Sequence, residues 1–281
     1  MNAIHVNWTK PYRISHGAPY KIEDFEILTT ILSALKWREK NGSIKMITDS
    51  AGMEFYKKNG MADIWGDISV TLDSVPDTIN PSVFWAAGKL FALQNQKAPI
   101  TVIDTDFIVW EPILFDKLSA VTSVHFENLY PDVYPDKSYF KMKNDYQFGD
   151  WNWSIRAMNT AFCVFKNQEL LDLYTAEAIR FMENTADDVC DRLKYMVFAE
   201  QRLLPMCAES MDVYYTSFSS LERLFTHGEN YFTHTWGMKQ QMRDIPDLRY
   251  DFCKRCIGRI LNDFPDREHT LRGIECLNQY F

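Results

Sequence analysis

The chain has 281 residues, of which 46% are apolar and 24% are charged, and its formal net charge at pH 7 is -8. This length and apolar content are enough to bury the core of one large α/β domain or two small ones. The negative charge leaves no basic surface that would attract a nucleic acid or an anionic membrane, so we expect no nucleic-acid partner.

Nothing in the sequence indicates a membrane or an oxidising compartment. The N-terminus lacks a basic leader followed by a long apolar run, and no stretch approaches about 18 uninterrupted apolar residues. We therefore expect a cytoplasmic protein with no membrane-spanning segment. The six cysteines are irregularly spaced, which predicts free thiols, and Cys253 and Cys256 have no second pair with which to form a zinc site.

The first hundred residues alternate between the periods of helices and strands, which predicts a largely parallel sheet with crossover helices. The predicted strands are 3–8, 44–48, 68–72 and 100–103, and the predicted helices are 24–40, 50–60 and 82–95. Ser50 is the expected N-cap of the second helix. The run at 100–103 is wholly apolar and therefore predicts a buried strand that ends at Asp104.

The second half of the chain is less regular. Strands are predicted at 121–126, 160–165 and 212–215, and helices at 168–182 and 188–207. The stretch 129–153 is rich in aromatic residues and fits neither period, which predicts a long functional loop. Because no linker interrupts the sequence, we expect one α/β domain over residues 1–281 with a mixed, mostly parallel central sheet flanked by helices.

Two carboxylates follow the predicted strand at 100–103, in the triplet Asp104-Thr105-Asp106. Open α/β sheets bind ligands at the carboxyl ends of their strands. Two carboxylates one residue apart at such an end can hold a hard divalent cation, whose remaining ligands would be waters and phosphate oxygens. The alternative is a strand end with two solvated aspartates.

Other polar residues are weaker candidates. Lys89 precedes this strand on a predicted helix and is either a phosphate ligand or an ordinary surface lysine. Asp49 follows the second strand, where it either contacts the base or ribose of a nucleotide or forms a turn. Asp150, Trp151 and Trp153 could form a platform for an acceptor sugar, since aromatic faces stack on sugar rings, although core packing explains the tryptophans equally well.

Four segments, in the same chain order, resemble a known class of enzymes. They are 84–113, which contains the Asp-Thr-Asp triplet; 159–161, Asn-Thr-Ala; 200–204, Glu-Gln-Arg-Leu-Leu; and 234–239, His-Thr-Trp-Gly-Met-Lys. Together they resemble glycosyltransferases of the GT-A fold with a DxD motif over roughly residues 3–240. They are similar to glycogenin-like and lipopolysaccharide galactosyltransferases and to related bacterial capsule-type glycosyltransferases. The resemblance implies a GT-A, Rossmann-like fold in which 1–110 forms a nucleotide-binding half and 111–281 completes the metal and acceptor sites.

The resemblance also implies the chemistry and its residues. Asp104, Asp106 and His234 would bind Mn²⁺ or Mg²⁺, and the partners would be a nucleotide-sugar donor, with a UDP-sugar favoured, and a glycan acceptor. Gln201 or Glu200 would lie beside the anomeric carbon. Together with the candidates above, the expected donor-binding residues are Asp49, Lys89, Asp104, Thr105, Asn159, Thr160, Gly237 and Lys239.

The match departs from the family pattern at three places. Lys239 comes one position early, Ala161 replaces a glycine, and no Pro-Trp follows the lysine. The family favours retention of anomeric configuration, although inversion needs only one placed base, for which Glu200 or Asp150 could serve.

His234 and Gln201, the two remaining motif residues, can also be explained without a functional role. His234 could equally be a hydrogen-bonded loop histidine, and Gln201 a polar residue on a helix surface. Apolar neighbours on both sides of Gln201 favour burial, and a buried amide needs hydrogen-bond partners.

Two other functions fit parts of the sequence. A haloacid-dehalogenase-type phosphatase also carries Asp-x-Asp after a strand, but there the strand is usually the first, whereas three predicted strands precede the one that carries the pair here. A non-catalytic sugar-binding protein could keep the same fold. The sequence leaves open the donor base, the sugar, the acceptor and the oligomeric state.

Overall fold

The computed structural model describes residues 1–226 and 230–281, and the strands and helices below are those of these residues. The strands are β1 Ala3–Asn7, β2 Ile44–Thr48, β3 Asp67–Val70, β4 Ile100–Ile103, β5 Phe107–Val109, β6 Val121–Ser123, β7 Phe162–Phe165, β8 Tyr215–Ser217 and β9 Phe232–His234. The α-helices are α1 Lys10–His16, α2 Asp24–Lys40, α3 Ser50–Lys58, α4 Ala87–Gln94, α5 Gln168–Glu183, α6 Lys194–Val197, α7 Leu203–Ser210, α8 Leu221–Thr226, α9 Lys239–Asp244, α10 Pro246–Asp263 and α11 Glu268–Gly273.

Seven strands form one mixed sheet in the order β3-β2-β1-β4-β7-β6-β8. Strands β3, β2, β1 and β4 are parallel, β7 runs antiparallel to both β4 and β6, and β8 is parallel to β6. This confirms the predicted α/β class with a mixed, mostly parallel sheet. Because β4 and β6 both oppose β7, their carboxyl ends lie at the same edge of the sheet.

Helices cover both faces of the sheet. On one face α4, α5 and α7 pack over Ile4, Val102 and Cys163, and on the other α2 and α10 pack over Ile103 and Phe162. Neighbouring residues of one strand therefore enter different cores, as the alternation of a pleated strand requires. No helix within residues 1–226 or 230–281 is long and apolar enough to cross a membrane.

Several predicted elements have different bounds. The predicted helix 82–95 begins only at Ala87, because Asn80 accepts hydrogen bonds from the amides of Ser82, Val83 and Phe84 and holds a turn there. The predicted helix 188–207 begins only at Lys194. The amides of Leu193 and Lys194 donate to the Asp191 carboxylate, which caps this start of the helix. It then contains a π-helical turn over Phe198–Arg202.

Other bounds differ for local reasons too. The N-cap of α3 is Asp49, and not Ser50 as predicted, because the Asp49 side chain accepts from the Gly52 amide. The predicted strand 212–215 lies instead at Tyr215–Ser217, since Asp212 takes up a left-handed conformation (φ 54°) after α7. The predicted strands 121–126 and 160–165 are shortened to β6 and β7, with Phe126 and Met158 forming a separate bridge.

All six cysteines are free thiols, as predicted. Cys253 and Cys256 are buried on α10, and burial raises the pKa of both thiols to about 12. They pack with the apolar residues of the core beneath α2. This agrees with the interpretation that their CxxC spacing is incidental.

A directional chain of hydrogen bonds ties β5 to the sheet and to α2. The Trp65 indole donates to Nδ1 of His5 over 3.0 Å, so the proton of this neutral ring is on Nε2, which donates to the Ser33 hydroxyl over 2.9 Å. Ser33 in turn donates to the carbonyl oxygen of Phe107. Burial lowers the pKa of His5 to about 3, against the attraction of Asp106, so the ring stays neutral.

We predict that Ser33→Ala destabilises the protein by about 1–3 kcal/mol, because it leaves the His5 N–H and the Phe107 carbonyl buried without a partner. Urea unfolding measures the change. Ser82→Ala removes an exposed hydroxyl and should change stability by less than about 0.5 kcal/mol. Equal stability of the two variants would contradict a role for this chain in holding β5.

Candidate metal site

The Asp-Thr-Asp triplet forms the turn between β4 and β5. The amide of Asp104 donates to the carbonyl of Ala161 over 2.7 Å, and the amide of Phe107 donates back to Asp104 over 3.0 Å. Thr105 lies half-buried within the turn. The turn is thereby fixed to the start of β7 and directs Asp106 toward β9.

His234 reaches this turn through a two-stranded antiparallel ribbon that sequence analysis did not predict. Strand β5 pairs with β9 so that Phe107 lies opposite His234. One ligand atom each from Asp104, Asp106 and His234 lie within 4.8 Å of one another. The ribbon therefore brings together the three residues that the resemblance assigns to a metal.

The donor atoms of this cluster suit a divalent cation. Burial lowers the pKa of His234 to about 4, although Asp106 and Asp104 oppose the shift, so the imidazole is neutral and keeps a lone pair for a metal. Two carboxylates and one neutral imidazole fit Mn²⁺ well, and their oxygens also fit Mg²⁺. Among residues 1–226 and 230–281, this is the only cluster of three or more such side chains close enough to share an ion.

Two lysines balance the charge of the carboxylates. Nζ of Lys239, the first residue of α9, lies 2.9 Å from Oδ2 of Asp106. Nζ of Lys89, on α4, lies 2.7 Å from Oδ1 of Asp104 and 2.5 Å from Oε1 of Glu200. Burial works against the charge of both lysines, but the nearby carboxylates raise the pKa of each above its ordinary value.

Glu200 is a buried partner of Lys89. Its Oε1 also accepts from the Thr160 hydroxyl over 2.8 Å, and its main-chain oxygen accepts from Tyr174 over 2.5 Å. Its side chain is 5% exposed. Lys89, Thr160 and Glu200 thus form one continuous polar network with Asp104.

Gln201 lies in the π-helical turn, a feature that is frequent at functional sites. Its side-chain oxygen accepts from the Tyr134 hydroxyl over 2.6 Å, and its main-chain oxygen accepts from the Met158 amide. Tyr134 belongs to the aromatic loop 129–153. The predicted functional loop is therefore joined directly to a predicted catalytic residue.

Asn159 connects a further acidic residue to the site. Its Nδ2 donates to Oε1 of Glu127 over 2.9 Å, and its Oδ1 accepts from the Ala161 amide over 3.1 Å. Oε1 of Glu127 lies 3.8 Å from Nδ1 of the buried His125, whose pKa is lowered mainly by burial.

Sequence analysis missed His125, Glu127 and Tyr134. The signal for the first two was the carboxyl end of the predicted strand 121–126, since polar residues at such ends commonly face a ligand. No comparable signal marked Tyr134, which only the path of the aromatic loop brings to Gln201.

The other predicted site residues have different surroundings. Asp49 is buried, and its carboxylate accepts from the amide and hydroxyl of Thr9 as well as capping α3, which favours the structural alternative. Gly237 lies in a 3₁₀ turn, with open space where a side chain would project. Their contacts with a donor stay predictions.

Trp151 and Trp153 of the aromatic loop pack against other residues of the chain. Trp153 stacks on Phe198 with ring centroids 5.3 Å apart, and Trp151 packs over Gly149, where an added Cβ would come within 2.5 Å of its ring. Asp150, which precedes Trp151, is exposed. This packing favours the core alternative for the tryptophans, and the acceptor platform stays a prediction.

A family model matches residues 1–220, and its description is "Family of unknown function (DUF6734)". No curated protein sequence matches the chain.

Solved structures with some likeness include a glycosyltransferase of Streptococcus pneumoniae TIGR4, GlyE, and mouse xyloside xylosyltransferase 1. The apo form of GlyE is 13% identical, and the match covers 80% of this chain and 45% of GlyE with a TM-score of 0.38. The apo xylosyltransferase is 10% identical, with 82% and 92% covered and a TM-score of 0.38. This chain thus spans less than half the length of GlyE, and TM-scores this low carry no argument about activity.

We predict that Lys89→Met destabilises the protein by about 3–5 kcal/mol, because it leaves the buried Glu200 carboxylate without its cation. The double variant Lys89→Met/Glu200→Gln should recover part of this loss, since no buried charge is then unpaired. Urea unfolding of both variants tests this, with the exposed Lys97→Met as control. If Lys89→Met were as stable as the control, the ion pair would not hold the network together.

Proposed function

The chain belongs to the family of unknown function DUF6734. We propose that it is a metal-dependent glycosyltransferase of the GT-A type. The donor would be a nucleotide-sugar, with a UDP-sugar favoured, and the acceptor a glycan. The observation that carries the proposal is the convergence of Asp104, Asp106 and His234 within 4.8 Å at the carboxyl edge of the sheet.

Position and chemistry together support a transferase. The carboxyl ends of β1, β2 and β4 lie side by side, which is where open α/β sheets bind nucleotides. A divalent ion held by Asp104, Asp106 and His234 would neutralise the diphosphate that leaves with the nucleoside. The resemblance to GT-A enzymes supplies the same assignment of residues from the sequence.

Lysines on both sides of the carboxylates have complementary roles in this proposal. Lys239 places a positive charge beside Asp106, where it can attract the donor diphosphate. Lys89 pairs with Asp104 and with the buried Glu200, so it acts on the donor chiefly through them. Asn159, Thr160 and Gln201 would orient the sugar by hydrogen bonds.

The acceptor would bind against the loop 129–153. Tyr134 of this loop touches Gln201, so the shape of the loop is coupled to the proposed position of the sugar. Binding residues often lie on loops that a rigid scaffold holds. In this proposal 1–110 carries most of the donor site, and 111–281 supplies the acceptor loop and His234.

Thermal unfolding in the presence of nucleotides tests the donor site. We expect UDP or a UDP-sugar to stabilise the protein in the presence of Mn²⁺ by about 2.7 kcal/mol at 100 times its dissociation constant, which is a shift of several °C. GDP, CMP and dTDP, measured in the same way, test whether the site prefers a nucleotide with another base. No shift with any nucleotide would contradict the proposal and favour a phosphatase or a sugar-binding protein.

The same measurement on Asp106→Asn isolates the metal. We expect this variant to lose the part of the nucleotide shift that depends on Mn²⁺, because one of three ligands becomes a neutral amide. Asp116→Asn removes an exposed carboxylate outside the cluster and should keep the full shift. A normal Mn²⁺-dependent shift in Asp106→Asn would overturn the metal assignment.

A further inference from the structure

Glu127 is an acidic residue at the candidate site to which neither the sequence motifs nor the metal cluster assigns a role. It follows β6, whose carboxyl end lies at the same edge of the sheet as that of β4. Oε1 of Glu127 accepts from Nδ2 of Asn159, while Oδ1 of Asn159 accepts from the amide of Ala161. The carbonyl of Ala161 accepts from Asp104, so these contacts link Glu127 to the metal turn.

The charge balance sets Glu127 apart from the other carboxylates of the site. Asp104 and Glu200 share the ammonium group of Lys89, and Asp106 has that of Lys239. Each of these three carboxylates thus pairs with a lysine.

Glu127 has no such cation. Within residues 1–226 and 230–281, the only basic side chain within 4 Å of its carboxylate is His125, and burial keeps that imidazole neutral. The guanidinium of Arg156 instead donates to the main-chain oxygens of Glu127 and Phe126. Among the described residues, no lysine or arginine therefore pairs with the Glu127 carboxylate.

Access to solvent also favours Glu127 over the two bases considered from the sequence. Its side chain is 20% exposed, whereas that of Glu200 is 5% exposed and held by Lys89 and Thr160. Asp150 lies exposed on the loop, with no contact to Asn159 or Gln201 among those observed. An acceptor that arrives from solvent can reach Glu127 without displacing an ion pair.

Backbone hydrogen bonds place Glu127 close to Gln201. The amide of Glu127 donates to the carbonyl of Ala157 over 2.9 Å, and the amide of the next residue, Met158, donates to the main-chain oxygen of Gln201 over 2.9 Å. The Tyr134 hydroxyl donates to Gln201, which the resemblance places beside the anomeric carbon. Glu127 thus borders the space where donor sugar and acceptor would meet.

We propose that Glu127 is the catalytic base of the sugar transfer, an inference that rests on the proposed function. Its carboxylate takes the proton of the acceptor hydroxyl while the acceptor oxygen bonds to the anomeric carbon. The bond from that carbon to the diphosphate breaks, and its electron pair leaves on the nucleoside diphosphate. The proton then passes from Glu127 to solvent.

This role fixes the stereochemistry. A base that activates the acceptor for direct displacement gives a product with inverted anomeric configuration, because the acceptor attacks the face opposite the leaving group. The outcome differs from the retention that the family resemblance favours. Product configuration is therefore a readout that a merely structural role of Glu127 would not predict.

The test uses Glu127→Gln in the full chain, with the donor found by the nucleotide screen. Glutamine keeps the size of the side chain and an oxygen that can accept from Asn159, but it cannot take a proton. We expect sugar transfer to fall by about 10²–10⁴-fold, with an unchanged Mn²⁺-dependent nucleotide shift. Glu169→Gln changes an exposed glutamate after β7, at the opposite edge of the sheet, and should leave transfer unchanged.

A second variant separates loss of the base from loss of shape. In Glu127→Ala, added azide can attack the donor without giving up a proton, so we expect azide to restore consumption of the donor and to yield an inverted glycosyl azide. Nuclear magnetic resonance of the wild-type product gives the natural configuration, for which we expect inversion.

Three results would overturn the inference. They are full transfer by Glu127→Gln, a wild-type product with retained configuration, and a Glu127→Ala variant that azide does not rescue. Each leaves the proposed glycosyltransferase function intact if the wild type transfers sugar. A wild type that binds no nucleotide and transfers no sugar would overturn the proposed function and, with it, this inference.

Discussion

The pairing of β5 with β9 is the interaction on which the candidate site depends. It sets Phe107 opposite His234, so the imidazole lies beside Asp106 at the end of β4. Three contacts hold the ribbon in place: the stacking of Phe107 on Phe162, its stacking on Phe232, and the hydrogen bond from Ser33 to its carbonyl. Packing of one aromatic residue and one buried serine thus positions two of the three potential metal ligands.

Charge balance is the second constraint, because several ionisable groups are crowded at one edge of the sheet. Lys89 pairs with Asp104 and Glu200, and Lys239 pairs with Asp106, while burial keeps His234 uncharged. Unpaired buried charges would be costly, so these ion pairs contribute to the stability of the fold. Among the described residues, no lysine or arginine pairs with the carboxylate of Glu127.

Elements with strong local signals were predictable from the sequence. The helix at 24–40 and the strands at 44–48 and 100–103 have the predicted bounds, because a periodic apolar face or an apolar run defines each of them. The helix predicted at 188–207 failed at its start, where Asp191 caps the chain, and in its middle, where a π-helical turn intervenes. Such features depend on single hydrogen bonds, which the spacing of apolar residues along the sequence does not predict.

The sequence by itself determined the α/β class, the strand that ends at Asp104, and the residue types that could bind a metal, since these follow from periodicity and from the chemistry of side chains. Only the tertiary structure decided which of these residues meet. The ribbon that carries His234, the Lys89–Glu200 ion pair, and the approach of Glu127 to Asn159 all join positions distant along the chain. Their proximity results from strand order and core packing, which act between elements and leave no mark in any short segment.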